Sequence, residues 1–312
     1  AGRENWQHVL TISSFRLSAS SDSGSSNSDG KTKLTNLTFS GTSTGKGTYV
    51  TVFLDDDNDG VADAEETQVT VLTNPSTGAF GATLSLSEGS YTNIRAYDYF
   101  DSSVTAPITV TVDTTAPYAP AAPDVVDASD SGTSATDNLS NDDTPTVRVS
   151  LAGTNAVDGD KVTLKANGVA IGSSTLNATD IANGYADVTA TTSLDADGNK
   201  TLAATVTDVA GNESGLSASL SYQLDRSAPT TTISGIDISS DSGSSSSDFL
   251  TNVASQTVTA TLSASLASGE ILYGSADGGS TWTNITSKVA GTSVSWDAVT
   301  LAGTNSIKLK VT

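Results

Sequence analysis

The sequence predicts an all-β chain of tandem sandwich modules in an elongated array, and three observations lead there. Acidic and apolar motifs recur about every 110 residues, strand-length stretches alternate apolar with Ser or Thr, and no window of helical length shows an apolar stripe of 3.6-residue period. Composition agrees. Ser, Thr, Asp, Gly, Val and Ala dominate the 312 residues while aromatics make up 5%, which suits small modules with thin cores. The length itself favours two or three domains.

The repeat is read from "SDSGSSNSD", "SDSGTSATD" and "SDSGSSSSD", whose Asp-Ser-Gly triplets begin at Asp22, Asp130 and Asp241, spaced by 108 and 111 residues. Two further anchors keep the same step. Asp113 in "TVDTTAP" and Asp225 in "YQLDRSAP" lie 112 apart, and Asp98 in "AYDYFDSS" and Asp208 in "VTDVAGNES" lie 110 apart. A period of that size is the size of an immunoglobulin-like sandwich. The expected modules are 1–113, with 1–7 reading equally as linker, then 114–226 and 227–312.

In the first module, alternation places strands at 9–17, 34–39, 49–54, 68–72, 80–86, 91–97 and 104–112. Ile108, Val110 and Val112 share one face of the last of these; Ala218, Leu220, Tyr222 and Leu224 do the same in module two, and Val258, Ala260 and Leu262 in module three. The third module reaches only "SIKLKVT", one strand short of the second, so an uncovered edge is expected there. Between modules, Pro117, Pro120 and Pro123 favour a stiff polyproline II course, and "DRSAP" forms a shorter second joint.

Charge narrows function. A net charge of −21 and a pI near 4.1 oppose nucleic acid and anionic membrane surfaces, both of which need basic patches. With no cysteine there are neither disulfides nor thiolate metal sites, leaving oxygen-ligated metal as the way to staple small modules. No apolar stretch reaches the length of a membrane span and no cleavable signal is visible, so any export signal is expected outside these residues.

The densest acidic stretch is "LDDDNDGVADAEE", with seven carboxylates between Asp55 and Glu66 and no Lys or Arg between Lys46 and Arg95. It matches a D-x-D-x-D-G-x5-E metal loop in full: Asp55, Asp57 and Asp59, then Gly60 for the sharp turn, the Val61 carbonyl, Asp63 and Glu66. Hard oxygen ligands at alternate positions suit Ca2+. The bland alternative is an acidic solvated hairpin.

Strand alternation also sorts the loops. Those after the first, third and fifth strands, with the end of the seventh, fall at one pole of a module; those after the second and sixth fall at the other. Asp22, Asp29 and Asp113 should therefore face Asp208, Asn212 and Asp158 across the first joint. Asp130, Asp137 and Asp225 should likewise gather above the third module, whose own repeated loop holds Asp241 and Asp248, while Asp98 and Asp101 would face a preceding module. Calcium is the expected occupant of these joints; ordinary solvated turns are the alternative.

Catalysis finds little support. His8 is the sole histidine and has no Ser or Cys constellation around it. Aspartates are plentiful enough for glycoside hydrolysis but lie in loops with few aromatics to form a cleft. Trp282 and Trp296 read as core of module three. Five N-x-S/T sequons, at Asn36, Asn138, Asn177, Asn212 and Asn284, are expected by chance in so Ser/Thr-rich a chain.

The strings "VDTTAP", "SDSGTSATDNLSNDDTPTV", "VTDVAGNES", "DGGSTWTNIT" and "LAGTNSIKLKVT" resemble the bacterial immunoglobulin-like repeats of very large surface adhesins secreted by type I systems. The resemblance spans nearly the whole chain and is weakest in module one, whose "AYDYFDSS" departs from the Asp-x-Ala-Gly-Asn form. It implies a non-enzymatic, extracellular role at the bacterial surface: modules in long arrays, calcium near their junctions, and a distal region that meets a host-cell or surface receptor. It also implies junction roles for Asp113, Asp130, Asp137, Asp208, Asn212, Asp225, Asp241 and Asp248. The expected function is a calcium-stiffened spacer of such an adhesin, serving attachment to host cells or biofilm. A carbohydrate- or protein-binding module, or an accessory domain of a secreted polysaccharide enzyme, is the alternative.

Overall fold

The computed structural model describes residues 12–132, 134–267, 269–303 and 305–312. His8 and the start of the expected first strand lie outside them. The chain divides into two compact units, Ala1–Arg226 and Ser227–Thr312.

The first unit holds two sandwiches with separate cores. One is built from β1 (Ser13–Leu17), β2 (Lys31–Thr32), β3 (Asn36–Thr42), β4 (Tyr49–Leu54), β5 (Gln68–Leu72), β6 (Ala79–Ser85), β7 (Gly89–Asp98), β8 (Ser103–Val104) and β9 (Ile108–Val112). Sheet β1-β3-β6 packs on sheet β2-β9-β7-β4-β5, enclosing Leu37, Phe39, Val50, Val52, Leu84, Ile94 and Val110. The other uses β10 (Asp124–Val125), β11 (Leu139–Ser140), β12 (Thr146–Ser150), β13 (Lys161–Ala166), β14 (Val169–Thr175), β15 (Tyr185–Thr189), β16 (Gly198–Thr207) and β17 (Leu220–Leu224). Here β10-β12-β15 faces β11-β17-β16-β13-β14 around Val147, Leu164, Leu202 and Tyr222.

The second unit pairs sheet β18-β19-β23-β22 with sheet β21-β20-β24. Its strands are β18 (Ile233–Ile238), β19 (Ser255–Leu262), β20 (Leu272–Ser275), β21 (Thr283–Asn284), β22 (Val289–Ala290), β23 (Ser293–Thr300) and β24 (Lys308–Val311). The all-β fold class is therefore observed.

Four details depart from the expected strand list, each for a local reason. The fourth strand, β5, pairs with β4 from Tyr49↔Leu72 to Phe53↔Gln68, so the third and fourth strands form a hairpin in one sheet. The expected strand 104–112 breaks into β8 and β9 at Pro107, which has no N–H to give a ladder. Short strands β2 and β11 run parallel to β9 and β17, inside the Asp-Ser-Gly loops. A six-residue helix, α1 (Ala178–Asn183), was not expected; Asn177 caps it by accepting the Thr179 and Asp180 N–H groups, while Asp180 accepts that of Asn177.

The two sandwiches of the first unit meet through loops. Ser23 Oγ donates to the Ala210 carbonyl at 2.8 Å, Lys33 Nζ to that of Gly211 at 2.7 Å, and Asn212 Nδ2 to that of Asp113 at 2.8 Å. Gly24 explains how close the approach is. Its φ is +104°, and a Cβ there would sit 2.1 Å from the Val209 carbonyl oxygen. By contrast Gly168, at φ +83°, has open space around it. Gly168→Ala should therefore destabilise by only the left-handed backbone penalty of about 1–2 kcal/mol. Gly24→Ala adds a main-chain clash and should lower the melting transition of the full chain further, as calorimetry would read. Equal melting temperatures for the two variants would mean that the joint yields freely.

Candidate metal centre

Three acidic arrangements stand out, all built where strands end. In the loop 55–66, Asp55 directly follows β4, shares the register of the buried Thr51 and Phe53 rather than that of the core residues Val50 and Val52, and is fully buried. Its Oδ2 accepts the Gly60 N–H at 3.1 Å and forms an ion pair with Arg95 at 2.6 Å, while its Oδ1 has no hydrogen-bond partner. Asp57 Oδ1 accepts the Asp59 N–H, and Asp59 Oδ1 accepts that of Val61. Asn58 (φ +63°) and Gly60 (φ +79°) wind the loop so that carboxylate oxygens of Asp55, Asp57 and Asp59 lie within 4.8 Å of one another. Among the described residues this trio alone converges so closely.

The other expected ligands of that loop are placed differently. Glu66 accepts the Asp56 and Asp63 N–H groups, one on each oxygen at 3.0 Å, and so closes the loop. The Asp63 and Val61 side chains are exposed. The charge is also partly offset within the protein. Phe53 pairs with Arg95 across the β4–β7 ladder, which brings the guanidinium to Asp55 and to Asn58 Oδ1 at 2.9 Å. The linear gap between Lys46 and Arg95 hides this, because strand pairing is long-range.

The three Asp-Ser-Gly loops repeat one geometry. Asp22, Asp130 and Asp241 each use Oδ2 to accept an N–H eight residues on, from Gly30, Asn138 and Phe249, at 3.0–3.1 Å. In all three, Oδ1 is shielded from solvent and has no hydrogen-bond partner. The companions Asp29, Asp137 and Asp248 are exposed, each accepting an N–H two residues on. Burial pushes the Asp22 carboxyl above its ordinary value, and the neighbouring Asp29 carboxylate pushes the same way.

At the joint within the first unit, the expected pairing of loops is present with one replacement. Asp208 is held by Asn212, whose N–H reaches Oδ1 at 2.9 Å and whose Nδ2 reaches Oδ2 at 2.8 Å. Asp158 is exposed; the residue that enters is Asp160, 1% exposed, because it extends the inward register of Val162 and Leu164 on β13. Val157 N–H binds its Oδ2 at 2.8 Å, while Oδ1 lacks a hydrogen-bond partner. Burial raises the Asp160 carboxyl most, and Asp208 and Asp113 raise it further. The joint carboxylates do not converge as tightly as the Asp55 trio, so an ion there would complete its shell with backbone carbonyls or water.

The remaining expected ligands are less available. Asp98 continues the inward run of Ile94 and Ala96, but Ser43 Oγ donates to one oxygen and the Phe100 N–H to the other. Asp225 is exposed and fixed through its backbone, which donates to the Ser140 carbonyl. Trp296 packs against the core of the second unit as expected. Trp282 does not; it is half-exposed beneath Lys310, whose Nζ lies 4.3 Å from its ring.

With this geometry in view, comparison with known proteins is informative for one segment. Residues 116–226 match the bacterial Ig-like domain. The β10–β17 sandwich is thus an immunoglobulin-like domain. No curated protein matches the sequence. Solved structures are also similar, among them the following two. One is a tetra-tandem repeat in the extending region of a large adhesion protein, at 16% identity, covering 89% of this chain and 69% of that one with a TM-score of 0.24. The other is dimeric latent PorU from Porphyromonas gingivalis, at 14% identity, covering 90% and 31% with a TM-score of 0.20. TM-scores this low do not establish a shared arrangement. Among the described residues no helix is long and apolar enough to cross a membrane.

Asp160 yields a prediction whose sign is set by its shift. A carboxyl raised on folding destabilises the native state once pH exceeds the unfolded value of 3.8, and protonation relieves it. In chelator at pH 7, Asp160→Asn should melt no lower than the parent. In millimolar calcium it should lose the part of the stabilisation that the joint supplies, about 1–3 kcal/mol for one shielded polar group. Differential scanning calorimetry in both buffers reads the two effects; equal calcium gains for parent and variant would remove Asp160 from any metal site.

Proposed function

We propose that the chain is a calcium-rigidified repeat region of a large bacterial surface adhesin. It acts outside the cell, spacing and presenting a distal binding region for attachment to host cells or surfaces, including biofilm. The observation that carries this reading is the shielded carboxylate oxygen without a donor, present at Asp22, Asp130 and Asp241 in every copy of the repeated loop and again at Asp160. Such oxygens fit a hard divalent cation, which needs no proton on its ligand and offsets the desolvation of the charge.

Asp55, Asp57 and Asp59 would hold an ion in the loop 55–66. Asp22 with Asp29, Asp130 with Asp137, and Asp241 with Asp248 would do so in the repeated loops, and Asp160 with Asp113, Asp208 and Asn212 at the joint. Bound there, calcium supplies cross-linking of loops that otherwise repel one another. The residues supply the rest: Asn212 ties Asp208 to the Asp113 backbone, and Gly24 lets the loops close. Affinities of about 0.1–1 mM suit an extracellular module. Secretion through a type I system accords with the absence of cysteine.

Small-angle scattering of the 312-residue chain in 5 mM calcium and in excess chelator tests the reading. Stiffening predicts a larger maximum dimension and a narrower distance distribution with calcium. Identical profiles in both buffers would refute it.

A further inference from the structure

The outer face of sheet β21-β20-β24 in the second unit carries aromatic and basic side chains that none of the acidic sites uses. Gly274 identifies that face. A Cβ there would meet the Trp296 ring at 2.6 Å, so Gly274 and its partner Leu309 face the core, while Tyr273, Asn284 and Lys310, paired one position along, face outward. Trp282 and Lys308 join them on that side: a Cβ at Gly279 would lie 3.2 Å from the Trp282 ring and 3.8 Å from Cδ of Lys308. Strands that pair at an edge add in the plane of a sheet, so this face stays open whatever flanks β24.

Two features separate this patch from an ordinary surface pair. The turn that carries Trp282 is fixed, because Asp277 Oδ1 accepts the Ser275 hydroxyl at 2.7 Å and the Thr281 N–H at 2.9 Å, and its Oδ2 accepts the Thr281 hydroxyl at 2.6 Å. Those donors, the Thr281 hydroxyl first, hold the Asp277 carboxyl well below the usual range and engage both of its oxygens within the turn. The cations, by contrast, are not spent on a carboxylate. Lys310 Nζ lies 4.3 Å from the Trp282 ring and 5.6 Å from that of Tyr273, and neither Lys308 nor Lys310 forms a salt bridge among the described residues. The second sandwich shows the other case: Arg148 lies 3.9 Å from the Tyr185 ring, but its Nε and one terminal nitrogen both donate to Asp187 at 2.8 Å. Two exposed ammonium groups beside two aromatic rings, in a chain with 35 acids, therefore fit an external anion that also brings apolar surface.

We propose that Trp282, Tyr273, Lys308 and Lys310 form a binding site for an acidic saccharide. The C–H face of a sugar ring covers the exposed part of the indole and the phenol, taking apolar surface out of water, and its carboxylate meets the two ammonium groups. The exposed Asn284 offers its amide to sugar hydroxyls. A nucleic acid does not fit, because the net charge of −21 repels dense phosphate, whereas a saccharide brings one carboxylate at a time.

Titration of the 312-residue protein with a tetrasaccharide of alternating glucuronic acid and N-acetylglucosamine, followed by NMR of the indole N–H signals, tests this. Saturable binding that shifts the Trp282 signal is expected. Methyl-esterifying the carboxylates, or Lys310→Gln in the protein, should each weaken it about three- to fivefold, the worth of an exposed ion pair. Trp282→Ala should remove binding and Trp282→Phe, which keeps an aromatic face, should retain part of it, whereas Arg148→Gln on the second sandwich should bind as the parent does. No saturable binding, or equal binding of the methyl ester, would overturn the proposal. So would binding that depends on Lys310 but that Trp282→Ala leaves intact, since charge alone would then account for it.

Discussion

A carboxylate oxygen removed from water without a donor is the constraint around which this protein is arranged. A shielded anion is expensive unless paired, and the chain has 14 Lys and Arg against 35 Asp and Glu. Protein cations therefore cannot serve every site. Arg95 reaches Asp55, whereas no salt bridge is formed with Asp22, Asp130, Asp160 or Asp241 among the described residues. An external cation, as proposed above, would meet that need.

The fold creates this situation by the same rule that builds its cores. A strand directs alternate residues inward, and where the run ends on Asp the carboxylate inherits a buried position. Asp98 follows Ile94 and Ala96, Asp208 follows Val206, and Asp160 precedes Val162. What differs is the donor supply. Asn212 satisfies Asp208, and Ser43 and Phe100 satisfy Asp98, whereas Asp160 takes the Val157 amide on Oδ2 and its Oδ1 has no hydrogen-bond partner. Burial alone thus does not separate these acids; the unfilled lone pair does.

Much of the architecture was legible because it follows from period-two alternation. The strands at 49–54 and 68–72 coincide with β4 and β5 to the residue. The repeat spacing was legible because the Asp-Ser-Gly loops keep their residues. Pairing was not. That β5 joins β4, that Arg95 meets Asp55, and that Lys31–Thr32 forms a strand beside β9 all depend on contacts distant in sequence. Asp160 lies two residues before Val162 in the alternation of β13 and is buried, whereas Asp158 lies outside that register and is exposed, so register rather than loop position decides which carboxylate enters the joint. Trp282 shows the same limit: its hydrophobic size points to the core, while the structure leaves it half-buried as a platform for Lys310.

The account stands or falls on whether an ion occupies the joint of the first unit. Crystals grown with terbium in place of calcium and measured for anomalous scattering address this without recourse to stability or shape. The account predicts a peak about 2.3–2.6 Å from Asp160 Oδ1, in addition to one among Asp55, Asp57 and Asp59. Well-ordered density in which Asp160 Oδ1 is bound only by water, with no anomalous signal beside it, would contradict it.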